Sequence, residues 1–193
     1  MTPEQRRALI QRLAKQLTVT AASTGWGHDI DWIASDRDDH LAFFGTAGLG
    51  AIPARVARDP AGLVAVIEEI EKLKGFGFEK SLQEPARAGA FAFDYAGDEH
   101  PGQYIAGRAY QRVGKNPAEP LSVALFPAEA SDYLRDVRFT SLCFGESTGV
   151  IVEDAFAEIY RPTDWDQWSR PELLRPVAPR PKPPADEPPG GPV

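Results

Sequence analysis

The first amphipathic pattern of the chain predicts a helix that begins at Pro3. Thr2 can cap this helix, and Gln5 three residues later completes a capping box. One face of the helix carries apolar residues at helical spacing: Leu9, Ile10, Leu13 and Leu17. The other face carries basic residues that we expect to be solvated: Arg6, Arg7, Arg12 and Lys15. The N-terminal segment is therefore expected to pack its apolar stripe on a core.

A second helix is predicted over residues 60–74. Asp59 suits its N-cap, Pro60 its first turn and Gly75 its C-terminal end. Its apolar face is broad and comprises Leu63, Val64, Val66, Ile67, Ile70 and Leu73. Because a broad apolar face needs a wide surface to cover it, we expect this helix to pack on a sheet.

Alternating and apolar runs elsewhere predict strands. Residues 31–35 and 40–44 flank an aspartate-rich turn over 36–39 and predict a hairpin, which a glycine-rich segment follows. Further strands are predicted over 89–95, 104–113, 121–126, 137–144 and 149–153, with a short helix over 128–135. Strands outnumber helices without regular alternation. We therefore expect an α+β fold with a mainly antiparallel sheet, packed by the N-terminal helix and the central amphipathic helix.

Composition changes near the C-terminus. Residues 170–193 hold nine of the eighteen prolines and few large apolar residues, which is typical of a disordered or polyproline II segment. We expect a single domain over 1–169 and a tail over 170–193. The tail would either solubilise the domain or bind a partner as a polyproline II ligand. Trp165 and Trp168, just before it, are expected to dock the last ordered turn on the core.

Net charge, the length of the apolar runs and the cysteine content exclude several classes of function. The net charge of −7 argues against nonspecific binding of nucleic acid, which needs a basic surface. No apolar run is long enough to span a membrane, and the first residues lack the apolar core of a secretory signal. The single cysteine, Cys143, fits a reducing compartment. We therefore expect a cytoplasmic protein that binds neither nucleic acid nor membrane.

A glycine-rich loop, three histidines and the single cysteine are the residues that could bind a small ligand or a metal. The loop Gly45–Gly50 could direct backbone N–H groups at a phosphate, but it matches neither the dinucleotide nor the P-loop fingerprint, and a tight exit from the sheet is the simpler interpretation. The histidines His28, His40 and His100 each lie near acidic residues, yet their spacing matches no metal motif. Cys143 falls in a predicted strand, as inert buried cysteines do. We expect no cofactor, no metal and no enzymatic activity.

The middle of the chain resembles small bacterial cytosolic proteins that are suspected immunity proteins of polymorphic toxin or type VI secretion systems. The likeness spans about residues 25–127 and rests on the segments 31–36, 41–44, 46–53, 91–95, 110–113 and 117–121. It departs in the hairpin turn, where Asp38-Asp39 replaces the more usual acidic–glycine pair, and in the proline-rich tail. The resemblance implies a protein that neutralises a cognate toxin by stoichiometric binding.

Acidic residues in predicted loops are the expected contacts with such a toxin, because acidic patches attract the basic clefts of nucleases. They are Asp36, Asp38, Asp39, Asp98 and Glu99. Two alternatives stay open. The Gly45–Gly50 loop could serve a phosphate- or nucleotide-binding protein or enzyme, and the tail could serve an adaptor.

Overall fold

The computed structural model describes residues 1–22, 30–47, 50–74, 88–95 and 109–160. The helices of this part are α1 (Pro3–Ala22), α2 (Ala54–Arg58), α3 (Pro60–Lys74) and α4 (Ala128–Asp136). Its strands are β1 (Asp31–Asp36), β2 (Leu41–Gly45), β3 (Ile52–Pro53), β4 (Phe91–Tyr95), β5 (Tyr110–Arg112), β6 (Arg138–Phe139), β7 (Gly149–Val150) and β8 (Ile159–Tyr160). Two 3-10 helices span Val123–Leu125 and Val152–Asp154. Among the helices described, none has the length and apolar character that crossing a bilayer requires.

The main sheet has six strands in the order β6-β1-β2-β4-β5-β7. The α+β class is thus confirmed, and the sheet is mixed rather than purely antiparallel. β1 pairs with β6 and β2 pairs with β4 in parallel, whereas the other three pairs are antiparallel. The reason is that α3 lies between β2 and β4 in the chain, and such a crossover returns the next strand in the same direction. β3 and β8 form a separate antiparallel pair.

The two predicted helices and their caps are confirmed. The backbone N–H of Thr2 donates to Gln5 Oε1 at 2.8 Å, and that of Gln5 donates to Thr2 Oγ1 at 3.2 Å. At the start of α3, Asp59 Oδ1 accepts the N–H of Gly62 at 2.9 Å. Leu13 of α1 is buried in the core, and α1 packs on α3. Gly75, the expected end of α3, lies outside the described residues.

One face of the sheet is aromatic. Cross-strand pairing places Trp32 beside Phe44, and Phe44 beside Phe93, so their rings share a face. The ring of Phe44 stacks on Trp32 at 4.3 Å between centroids and on Phe93 at 5.2 Å. Phe144 covers them from the loop after β6, with its ring 5.8 Å from that of Phe44. The expected burial of Trp32 in the core is confirmed.

Helices α3 and α4 cover the opposite face. They pack on each other and on β1. The buried hydroxyl of Ser35 in β1 donates to the carbonyl of Leu134 in α4 at 2.7 Å. The sheet therefore lies between a helical layer and the segment that follows β6.

Several strands predicted in the second half are wrong or shorter. Residues 121–126 contain a 3-10 helix, because Ser122 caps it through the N–H of Ala124 at 3.3 Å and Pro127 is already the N-cap of α4. Residues 137–144 and 149–153 contain only the two-residue strands β6 and β7. The predicted strand over 104–113 is described only from residue 109, where β5 begins at Tyr110. Trp165, Trp168 and the tail over 170–193 lie outside the described residues.

Tyr133 of α4 offers a test of packing through pH. Its hydroxyl is buried without a hydrogen-bond partner, and burial raises the pKa of both Tyr133 and Tyr110 above the ordinary tyrosine value. In the unfolded chain both titrate near about pH 10. Above that pH the unfolded state releases protons that the folded state keeps. Stability therefore falls as pH rises, by about 1.4 kcal/mol per pH unit for each tyrosine.

Tyr133→Phe should leave neutral-pH stability unchanged or raise it by about 1 kcal/mol, because an unpaired buried hydroxyl is lost. It should also reduce the alkaline slope by about 1.4 kcal/mol per pH unit. Urea denaturation at several pH values from about 9 to 12 measures both. Equal alkaline slopes for the variant and the wild type would contradict the burial of this hydroxyl.

Candidate functional site

The carboxylate of Asp36 organises the tip of the β1–β2 hairpin. Its Oδ1 accepts the backbone N–H groups of Asp38 and His40, both at 2.9 Å, and its Oδ2 accepts the N–H of Phe144 at 2.7 Å. The side chain has no exposed surface. Asp36 cannot offer its carboxylate to a partner in this conformation, which corrects its place among the predicted contacts. It joins the hairpin to the loop after β6 instead.

Asp38 and Asp39 lie at the surface of the turn, and each pairs with an arginine. Their side chains are 46% exposed. Arg37 Nε lies 3.6 Å from Asp38 Oδ1, and Arg138 Nη2 lies 3.1 Å from Asp39 Oδ1. Arg37 Nη2 also lies 3.4 Å from Glu146 Oε2. The surface therefore alternates in sign, and the arginines neutralise part of the acidic patch predicted from the sequence.

Backbone hydrogen bonds fix the shape of this turn. Asp39 has a φ of 62° in the left-handed region, which aspartate adopts more readily than most residues, and its N–H donates to the carbonyl of Asp36 at 3.1 Å. Arg138 donates to the carbonyls of Asp36 and Arg37 at 3.0 and 2.5 Å. The turn thus has contacts to β6 as well as its own internal bonds, which makes it a rigid projection.

Asp36, Asp38 and His40 form a group that we name the hairpin cluster. A carboxylate oxygen of each aspartate and a ring nitrogen of His40 all lie within 4.8 Å of one another. His40 Nδ1 is inaccessible to solvent, has no hydrogen-bond partner and lies 3.8 Å from Asp36 Oδ2. The His40 side chain as a whole is 31% exposed. The cluster therefore contains two carboxylates and an imidazole nitrogen that has no hydrogen-bond partner.

Cys143 lies beside the hairpin cluster. Its thiol is hydrogen-bonded to the side chain of Asp38, which raises the pKa of Cys143, and burial raises it further. Backbone N–H groups of Gly145 and Glu146 act in the opposite direction. A raised pKa keeps the sulfur protonated near neutral pH, so the thiol is a poor nucleophile there. The expected place of Cys143 in a strand is wrong, because the residue lies in the loop after β6 and is partly exposed.

Arg112 of β5 is a partly buried charged residue that no sequence motif indicates. Its guanidinium carbon lies 5.2 Å from the ring centroid of Phe91 and 5.3 Å from that of Phe93, while Nη1 donates to Asn116. Its Nε and Nη2 are buried without hydrogen-bond partners, and burial lowers its pKa. The two rings supply a cation–π contact in their place.

Gly50, the last residue of the glycine-rich segment, packs closely against the side chain of Tyr110. A Cβ atom on Gly50 would lie 2.3 Å from the Tyr110 hydroxyl, which itself donates to the carbonyl of Ala51 at 2.8 Å. The N–H of Gly50 donates to the carbonyl of Thr46 at 2.8 Å and is therefore used within the loop. Gly48 and Leu49 lie outside the described residues. These contacts favour the interpretation as a tight exit from β2.

An open groove of about 390 Å³ lies near β3 and α2, and Pro53 and Phe156 form part of its lining. Its charged groups are paired. Arg58 Nη1 lies 2.6 Å from Glu158 Oε2, and Arg55 Nη2 lies 2.9 Å from Asp59 Oδ2. The charged side chains described at this groove thus form ion pairs with neighbouring side chains of the protein.

The structure brings together only part of the predicted contact set. Asp38 and Asp39 share the hairpin turn, Asp36 is buried beneath it, and Asp98 and Glu99 lie outside the described residues. Comparison with protein-family models, with curated proteins and with solved structures finds no match to this chain. The likeness to immunity proteins therefore stays a prediction, and the site is interpreted from its geometry.

Proposed function

We propose that this protein acts by binding another protein, as an immunity protein that neutralises a cognate bacterial toxin stoichiometrically in the cytoplasm. The observation that carries the proposal is the rigid, charged tip of the β1–β2 hairpin. Asp38 and Asp39 are exposed there, while Asp36 beneath them fixes the backbone through three hydrogen bonds.

Rigidity favours binding because a surface that is already ordered loses little conformational entropy when a partner docks. The tip combines a buried anchor with exposed side chains. The Asp36 bonds also fix Phe144, so the loop bearing Glu146 is held beside the turn. The hairpin and this loop thus present one continuous surface formed from two distant parts of the chain.

The charge pattern of this surface supports selective recognition. Asp38, Asp39 and Glu146 alternate with Arg37 and Arg138. Alternating charges fix the orientation of a partner and reject surfaces with the wrong pattern. The net charge of −7 adds a longer-range attraction for a basic partner.

Co-expression with the product of the adjacent open reading frame tests the proposal. We expect the two proteins to co-purify at a fixed ratio and the chain to restore growth of cells that express the toxin. The double variant Asp38→Lys/Asp39→Lys should slow association by about tenfold or more at low salt, since it reverses the charge of the tip. Stopped-flow or surface plasmon resonance measures the rate.

The matched control is Glu129→Lys/Asp132→Lys, which changes the charge equally on α4, where both side chains are about 70% exposed. It should slow association much less than the tip variant. Equal effects of the two variants would remove the tip from the interface. Failure of the neighbouring product to bind, together with turnover of a metabolite by the purified chain, would overturn the binding function itself.

A further inference from the structure

We infer that the hairpin cluster of Asp36, Asp38 and His40 binds a divalent transition-metal ion of the zinc class. The inference is independent of the proposed function, because it concerns only groups of this chain. Imidazole nitrogen together with carboxylate oxygen is a donor set that zinc accepts. The three ligand atoms already lie within 4.8 Å of one another, so small side-chain rotations suffice to bring them around one ion.

The unpartnered nitrogen of His40 is the second observation. Nδ1 is inaccessible to solvent and forms no hydrogen bond, although buried polar atoms normally have a partner. It lies 3.8 Å from Asp36 Oδ2, which is too far for a hydrogen bond. An ion between the two atoms would give Nδ1 the partner that it lacks.

Asp36 has the capacity to be a ligand while it keeps its structural bonds. A carboxylate offers about four acceptor positions. Three N–H groups occupy Asp36: two on Oδ1 and one, from Phe144, on Oδ2. One position remains on Oδ2, the oxygen near His40. The same backbone bonds orient the carboxylate, as supporting hydrogen bonds do for ligands of known metal sites.

The hairpin cluster supplies three ligands, because Cys143 is not among the residues whose ligand atoms all lie within 4.8 Å of one another. Three protein ligands leave the fourth position of a tetrahedral ion to water. The ion would join the buried carboxylate of Asp36 to the exposed carboxylate of Asp38 at the hairpin turn.

Titration of the full, chelator-treated chain with ZnCl₂ and CoCl₂ tests the inference. We expect one equivalent to bind by calorimetry, the melting temperature to rise with zinc concentration, and Co²⁺ to give the intense visible bands of a tetrahedral site. His40→Gln should weaken zinc binding roughly 100-fold, and Asp38→Asn about tenfold or more. Cys143→Ser should leave zinc affinity unchanged, because Cys143 is not part of the hairpin cluster.

The matched control is Asp132→Asn, which neutralises a carboxylate on α4 that is 72% exposed and should leave zinc affinity unchanged. Circular dichroism of each variant without metal establishes that it folds. The inference is overturned if His40→Gln and Asp38→Asn bind zinc as the wild type does, if binding does not saturate near one equivalent, or if only Ca²⁺ or Mg²⁺ binds. None of these readouts involves a toxin, so they are separable from a failure of the proposed function.

Discussion

Asp36→Ala is expected to lower the free energy of unfolding by about 3–5 kcal/mol. The substitution leaves three backbone N–H groups without their acceptor, and each unsatisfied buried donor costs about 1–3 kcal/mol. The donors of Asp38 and His40 are partly exposed and regain water, so the loss at Phe144 dominates. Urea denaturation at neutral pH measures the effect.

Asp38→Ala is the control for this prediction. It removes a carboxylate from the same turn, but one that is half exposed and pairs with Arg37 at 3.6 Å. Such pairs contribute little, so the change should stay within about 0.5 kcal/mol. Asp36→Asn should fall between the two variants, because its amide keeps one acceptor oxygen and turns a donor toward another N–H. Equal stability of the Asp36 and Asp38 variants would contradict the anchoring role of Asp36.

Phe44→Ala is expected to cost about 3–5 kcal/mol, the range for deleting a buried aromatic side chain. Phe44 is fully buried at the centre of the aromatic face, where its ring contacts Trp32 at 4.3 Å and Phe139 at 5.6 Å between centroids. The cavity would be enclosed by rigid rings that cannot move to fill it. Tryptophan fluorescence should report the loss as well, since the stacking on Trp32 disappears.

The control for Phe44 is Leu125→Ala. Leu125 lies in the first 3-10 helix and is 57% exposed, so its truncation should change stability by no more than about 0.5 kcal/mol. Phe44→Leu should cost less than Phe44→Ala because it fills part of the space. A loss below about 1 kcal/mol for Phe44→Ala would mean that the aromatic face is not packed as described.

Local signals account for what the sequence predicted correctly. The Thr2–Gln5 capping box and the Asp59 cap depend on residues three apart, and both are present. The hairpin followed from an aspartate turn between apolar runs, with bounds within one residue of β1 and β2. Such features need no knowledge of the rest of the chain.

Features that depend on distant contacts escaped prediction. The parallel pairing of β2 with β4 is set by how α3 packs across the sheet, which the local pattern of either strand does not reveal. Residues 137–144 have strand-forming side chains, yet the chain turns after Phe139. The Asp36 carboxylate accepts a hydrogen bond from the backbone N–H of Phe144, which lies 108 positions away in the chain.

At the candidate site too, local features were predicted from the sequence and distant contacts were not. Sequence indicated a charged turn at Asp38 and Asp39, and the structure places both at its surface. It could not show that Asp36 points inward, since an aspartate at the end of a strand has the same sequence signature whether it is buried or exposed. Nor could it bring Arg138 and Cys143 to the turn, because both come from the segment after α4.

The shortness of the outer strands has a consequence for how this molecule meets others. β6 and β7, at the two margins of the six-stranded sheet, contain two residues each. Within the described residues, each of these two strands offers an incoming strand few hydrogen bonds to complete along its outer side, which disfavours strand addition at β6 and β7 themselves. A partner that meets the described sheet at β6 or β7 should accordingly bind mainly through side chains.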